Sequence, residues 1–243
     1  MSIVILDKRV TRAIQQVGLK VITTADIRHG ELPVSELPVG VGSEFSFVTL
    51  VGGGGSSFWP SFERSAEYSD GRPDSMDRWS ERVGHQLSNK LKLAVVFPFQ
   101  GPPYFPFVSW ASRTPDIIAS TMGPSIHRDY GLWISYRLAL FLRQDQVEQQ
   151  SENAGILDFG CITCETQPCL NTCPVNAYTS DGFDRKSCFN YLDQNAESEC
   201  GTGGCLARRA CPIGKDYRYL PAQAQFHMNS FERSARQFYQ EES

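Results

Sequence analysis

The stretch Cys161–Ala177 reads CITCETQPCLNTCPVNA and places Cys161, Cys164, Cys169 and Cys173 close together. Downstream, Cys188, Cys200, Cys205 and Cys211 complete the eight cysteines of the chain, and each group ends in a Cys-Pro pair, Cys173-Pro174 and Cys211-Pro212. An iron–sulfur cluster of the cubane type needs four thiolates, and closely spaced loop cysteines supply three of them. In two-cluster ferredoxins the cysteine before proline ligates the other cluster, because the chain leaves one loop toward the next. That logic assigns Cys161, Cys164, Cys169 and Cys211 to one [4Fe–4S] cluster. It assigns Cys173, Cys188, Cys200 and Cys205 to a second, and every cysteine is used once.

The spacings are looser than the simplest pattern. Four residues separate Cys164 from Cys169, where two are usual. Gly201, Gly203 and Gly204 between Cys200 and Cys205 give that loop freedom to wrap a cluster. Two zinc sites of four thiolates each compete with this reading, since zinc accepts the same donors. A disulfide framework suits small secreted chains better than one of 243 residues.

Outward from the cysteines the character of the chain changes. Residues 1–143 contain no cysteine and read as an α/β domain. A helix is expected over Asp7–Val17, then a strand at Leu19–Thr24, a proline-rich connection at Gly30–Gly42 and a buried strand at Phe45–Val51. Pro73 and Asp74 open a helix whose Met76, Trp79, Val83, Leu87 and Leu91 share one face. Strands follow at Leu93–Phe97 and at Leu132–Leu142, the second bearing Arg137. The polar run RQDQVEQQSEN, Arg143–Asn153, reads as a linker and sets two domains, 1–150 and 151–243. A closing helix over Pro221–Tyr239 is expected to pack back on the first domain.

Hydrophobic residues make up 41% of the chain, enough for a buried core, and the net charge is −4. That balance argues against a nucleic-acid groove, which needs an excess of Lys and Arg. At the N-terminus the apolar run precedes Asp7, Lys8 and Arg9, the reverse of a signal peptide. The apolar stretches near Leu91–Phe99 and Leu132–Leu142 are too short to span a bilayer as helices. A cytoplasmic protein without a membrane partner is expected, and in that reducing compartment thiolates bind metal more readily than they pair.

Two resemblances add to this. DRKSCFNYLDQNA, Asp184–Ala196, with its flanking cysteines resembles the dicluster ferredoxin domain of epoxyqueuosine reductase and of the similarly built reductive dehalogenases, over about residues 158–215. SIHRDYGLWISYRLALFLR, Ser125–Arg143, is similar to a strand segment of the vitamin B12-processing decyanase/dealkylase family. The feature order of Gly18–Phe62 and the helix Asp74–Leu87 follow the same family, over about residues 10–143. Together they imply a nitroreductase-like, cobalamin-binding-type α/β domain followed by a small ferredoxin-like domain. The implied function is electron relay through two [4Fe–4S] clusters to a corrinoid, fed by an electron-donor protein or reductant. Two departures stand out: the short proline-rich segment PFQGPPYFPF within residues 98–124, and the lack of the tRNA-binding sequence of epoxyqueuosine reductases. A ferredoxin-like carrier with no substrate of its own and an FMN-dependent reductase are the alternatives.

Outside the cysteines, Ser125, His127, Trp133, Arg137, Gly53 and Gly54 are the cofactor-binding candidates. The resemblance places Arg137 where it would hold a carboxylate of a ligand; the plainer reading pairs it with an acid at the edge of the core. His127 is a candidate donor or metal ligand, or else a structural histidine. The cobalamin motif D-x-H-x-x-G is absent, with Ser125 two before His127 and Gly131 four after it. Gly52–Gly55 follows a strand and reads as a cofactor cradle or a flexible turn, lacking the Lys-Ser/Thr of a P-loop. Trp59, Trp79, Trp110 and Trp133 line a flat-cofactor pocket or fill the core, the second being expected of Trp79.

Overall fold

Asp7 ends an apolar run and begins a helical one, its side chain accepting a hydrogen bond from the backbone N–H of Arg9. From there the chain was followed in a computed structural model, which describes residues 2–27, 45–151, 159–179 and 182–241. The elements are β1 (Ser2–Leu6), α1 (Lys8–Gln16), β2 (Lys20–Asp26), β3 (Phe45–Gly54), α2 (Trp59–Glu63), α3 (Ala66–Ser69), α4 (Ser75–Leu91) and β4 (Val95–Val96). Then come α5 (Phe107–Ala111), β5 (Ile117–Ala119), β6 (Ser125–His127), β7 (Ile134–Arg143) and β8 (Val147–Ser151). The remainder is α6 (Pro168–Asn171), β9 (Tyr178–Thr179), β10 (Gly182–Phe183), α7 (Arg185–Gln194), α8 (Glu199–Gly203), α9 (Leu206–Ala210) and α10 (Pro221–Glu241). The protein is a mixed α/β chain with small sheets. The connection Gly30–Gly42 and His29 lie outside the described residues.

Two compact units result, one of Met1–Ile117 with Ile134–Leu157, the other of Ile118–Trp133 with Asp158–Ser243. The sequence reading drew one boundary near residue 150. The structure adds an earlier excursion, because Met122, Ile126 and Leu132 bury themselves with Cys169, Ala207 and Cys211.

The first unit is built on an antiparallel sheet in the order β2-β3-β7-β4. β3 and β7 are its central strands, and alternate residues face opposite sides. Val48 and Leu50 of β3 and Ala139 and Phe141 of β7 share a core with Phe107 and Trp110 of α5. On α4 the buried set is Met76, Trp79, Ser80, Val83, Gly84, Leu87 and Leu91, the spacing of one helical face. Trp79 stacks on Phe58 at 5.5 Å and meets Phe62 edge-on at 5.7 Å between ring centroids.

Three sequence expectations change here. Gly52, Gly53 and Gly54 form neither turn nor cradle but continue β3, opposite Tyr136, Ser135 and Ile134. A Cβ on Gly52 would stand 1.7 Å from the Ser135 carbonyl oxygen, and one on Gly53 would stand 2.6 Å from the Phe58 ring. These glycines serve close packing. The polar run after Arg143 is no simple linker, since Val147–Ser151 pairs antiparallel with β1 in a two-stranded ribbon. The strand expected at Leu93–Phe97 is reduced to Val95–Val96, opposite Leu140 and Ala139.

In the second unit, α10 lies against α7 and α8, elements of its own unit. No helix among the described residues is long and apolar enough to cross a membrane.

Trp79 is 2% exposed amid aromatic neighbours. Trp79→Ala is expected to cost about 3–5 kcal/mol of stability, read by denaturant unfolding. A loss below about 1 kcal/mol would show that Phe58 and Phe62 close over the space.

Candidate metal centres

Short helices bring the cysteines inward. Asp184 caps α7 by accepting from the Ser187 backbone N–H at 3.0 Å, which fixes the turn carrying Cys188. Ser198 likewise caps α8, which carries Cys200. Cys205 is the N-cap residue of α9 and Cys211 its C-cap residue, so one short helix separates them. α6 carries Cys169 and lies against α9.

The thiols gather in two groups. Cys173, Cys188, Cys200 and Cys205 line one cavity, walled also by Val175, Tyr178, Phe183, Leu192, Ala207 and Met228. Burial, then the neighbouring thiolates of Cys205, Cys173 and Cys200, push the Cys188 thiol up to about 12. Burial raises Cys200 too, with Cys205 and Cys173 adding to it. The other group shows the same coupling. Cys211 is raised by burial and then by the thiolates of Cys169, Cys161 and Cys164. Cys169 is raised by burial and further by Cys161 and Cys164. The first foursome is thus Cys161, Cys164, Cys169 and Cys211, the second Cys173, Cys188, Cys200 and Cys205. These are the groups that the Cys-Pro crossover calls for; the ligation it implies is a proposal.

The groups differ in exposure. Cys161–Thr163 forms a single 3-10 turn whose Ile162 side chain is 91% exposed. A cleft lined by Gly160, Thr163, Cys164, Glu165, Thr166, Pro212 and Ile213 reaches the first foursome at Cys164. The cavity of the second is narrower and more enclosed.

Hydrogen-bond donors reach the sulfurs. The Thr121 N–H lies 3.5 Å from Cys161 Sγ and its Oγ1 3.7 Å. The Ala177 N–H donates to Cys173 Sγ at 3.3 Å, and the Tyr178 hydroxyl lies 3.8 Å from Cys205 Sγ. The β5–β6 excursion that supplies Thr121 is held by a backbone-to-backbone approach. A Cβ on Gly131 would stand 2.0 Å from the Ile213 carbonyl oxygen, two residues beyond Cys211. Gly131 has φ +58°, in the region glycine tolerates best.

The donor set fits an iron–sulfur core. Four thiolates in one small space repel each other, and a cationic metal–sulfide core offsets both that repulsion and the cost of burial. Among the described residues, no three His, Cys, Asp or Glu side chains converge closely enough to share a single metal ion.

The remaining candidates do not assemble within one unit. Ser125, His127 and Trp133 belong to the second unit, while Gly53, Gly54 and Arg137 belong to the first. His127 Nδ1 accepts the backbone N–H groups of Asp129 at 3.0 Å and Tyr130 at 3.3 Å, and its ring packs on Tyr130. It closes a turn. Trp133 is buried, and the Arg208 guanidinium carbon sits 4.6 Å from the ring centroids of both Trp133 and Tyr219 while its nitrogens donate to the Leu132 carbonyl. Arg137 pairs with Asp77 of α4 at 3.6 Å. Trp59, Trp79 and Trp110 are all core residues.

Sequence reasoning missed Thr121, Tyr178 and Arg208. Tyr178 follows CPVNA directly and was within reach of it; Thr121 lies 40 residues before Cys161 and carries no local signal. Compared with protein-family models and with curated proteins, the chain matches none.

Cys211→Ala is expected to remove the same metal centre as Cys161→Ala, about four irons in either case, and to leave the centre that depends on Cys188. Loss of the Cys188 centre by Cys211→Ala would sink the grouping.

Proposed function

We propose that this chain is an iron–sulfur redox protein whose second unit holds two [4Fe–4S] clusters and relays electrons one at a time. The observation that carries the reading is the gathering of eight cysteines into two disjoint groups of four. Two short helices packed together, α6 and α9, with cysteines of both groups on or beside them, support a ferredoxin-like unit. The four-stranded antiparallel sheet with helices packed on it agrees with a nitroreductase-like first unit.

When bound, a [4Fe–4S] cluster takes up and gives back one electron at a potential the protein sets, roughly −700 to +450 mV across known cases. The chain's part is to hold and tune. Cys205 and Cys211 bracket α9, so six residues of helical rise, about 9 Å, separate one ligand of each foursome. Val175, Phe183, Leu192, Ala207 and Met228 give the second foursome a largely apolar wall. Cys164 in its open cleft makes the first foursome the side at which a reductant arrives.

A corrinoid bound by the first unit is the acceptor we propose on the resemblance alone. The six candidate residues form no corrin site within either unit, and His127 is engaged in its own turn, so no step is derived through that cofactor. The same division favours a second reading, a ferredoxin-like carrier that passes its electron to a partner.

Anaerobic purification with iron, sulfide and cobalt analysis, and visible spectra before and after hydroxocobalamin, tests both. About eight irons per chain with a shifted corrin spectrum is the expected result. Eight irons with no corrin response leaves the relay and removes the corrinoid, while zinc in place of iron overturns the cluster reading.

A further inference from the structure

We propose that the Tyr178 hydroxyl is a tuning donor to Cys205 Sγ, raising the reduction potential of the cluster held by Cys173, Cys188, Cys200 and Cys205. The inference rests on the two-cluster reading and goes beyond it, to a residue that is not a ligand. The phenolic oxygen lies 3.8 Å from Cys205 Sγ. As a thiolate ligand Cys205 can only accept, so Tyr178 is the donor.

Reduction adds one electron to the cluster and its thiolates, and no proton need accompany it. A donor aimed at a ligand sulfur favours the more negative state, and hydrogen bonds to sulfur are among the levers that set such potentials. The lever is strong here because the cavity wall is largely apolar, which lowers the local dielectric around the hydroxyl and the sulfur. Local packing fixes the ring. It stacks on Phe183 at 4.9 Å and 26°, and Tyr178 pairs with Phe183 across the β9–β10 ladder. At the other foursome the corresponding donor, Thr121, is exposed, so solvent can substitute for it. The two clusters therefore respond differently to loss of a hydroxyl.

Tyr178→Phe keeps the stacking ring and removes the donor. The experiment is a redox titration of the anaerobic holoprotein followed by electron paramagnetic resonance, with iron and sulfide counted in each sample. Cys205→Ser marks which of the two one-electron steps belongs to this centre. The expected result is a full iron count in Tyr178→Phe, with that step moved to more negative potential and the other unmoved. Thr121→Val, the exposed counterpart, should move neither step by as much. An unchanged step, a shift in the other step, or loss of about four irons would each overturn the tuning role, the last by making Tyr178 a packing residue. A wild-type protein without two four-iron clusters would instead overturn the reading beneath it, and the iron count separates the two failures.

Discussion

Eight thiols in one small unit pose an electrostatic problem before a chemical one. Cys169, Cys200 and Cys211 are buried, and each is driven toward its neutral form by burial and by neighbouring sulfurs. A metal–sulfide core that binds here has to take the place of the protons that burial favours on these three sulfurs. The same cysteines are also packing groups. Cys169 and Cys211 belong to the core of Met122, Ile126, Leu132 and Ala207. On the proposed two-cluster reading, filling the centres and completing that core would be one event.

Around this constraint the unit is assembled from short pieces. α6, α8 and α9 are each four or five residues long, below the length at which an isolated helix persists in water. Ser198 caps α8, α6 and α9 pack on each other, and the 21 residues of α10 lie against α7 and α8. Arg208 adds a tie between α9 and the excursion, with its guanidinium between Trp133 and Tyr219 and its donors on Leu132. The first unit depends on nothing of this kind. Its sheet and its aromatic cluster around Trp79 make an ordinary apolar core.

Much of the layout was legible locally. The face of α4 and the start of α1 both follow from spacing. What escaped was decided by distant partners. Gly52–Gly54 looks like a turn in isolation, but it continues β3, and β7 and the Phe58 ring leave no room for side chains at Gly52 and Gly53. For Arg137 the plainer reading, an acid at the edge of the core, is the one the structure shows, but only the fold names Asp77, far away in sequence, as that acid. The polar run after Arg143 was taken for a linker because nothing local says that β1 pairs with it. Thr121 has no periodicity to betray it; only the folded excursion brings it to Cys161.

That excursion bears on how the protein is made. The chain passes between its units at three points, 117/118, 133/134 and 157/158. During synthesis from the N-terminus, the β5–β6 hairpin leaves the ribosome before β7, and both precede the first cysteine. β7 can close the sheet of the first unit at once, whereas Thr121, Met122 and Ile126 must wait for partners not yet translated. The newborn chain thus anchors Ile117 in the first core but carries Met122 and Ile126 without their partners until Cys211 and the α9 segment have emerged.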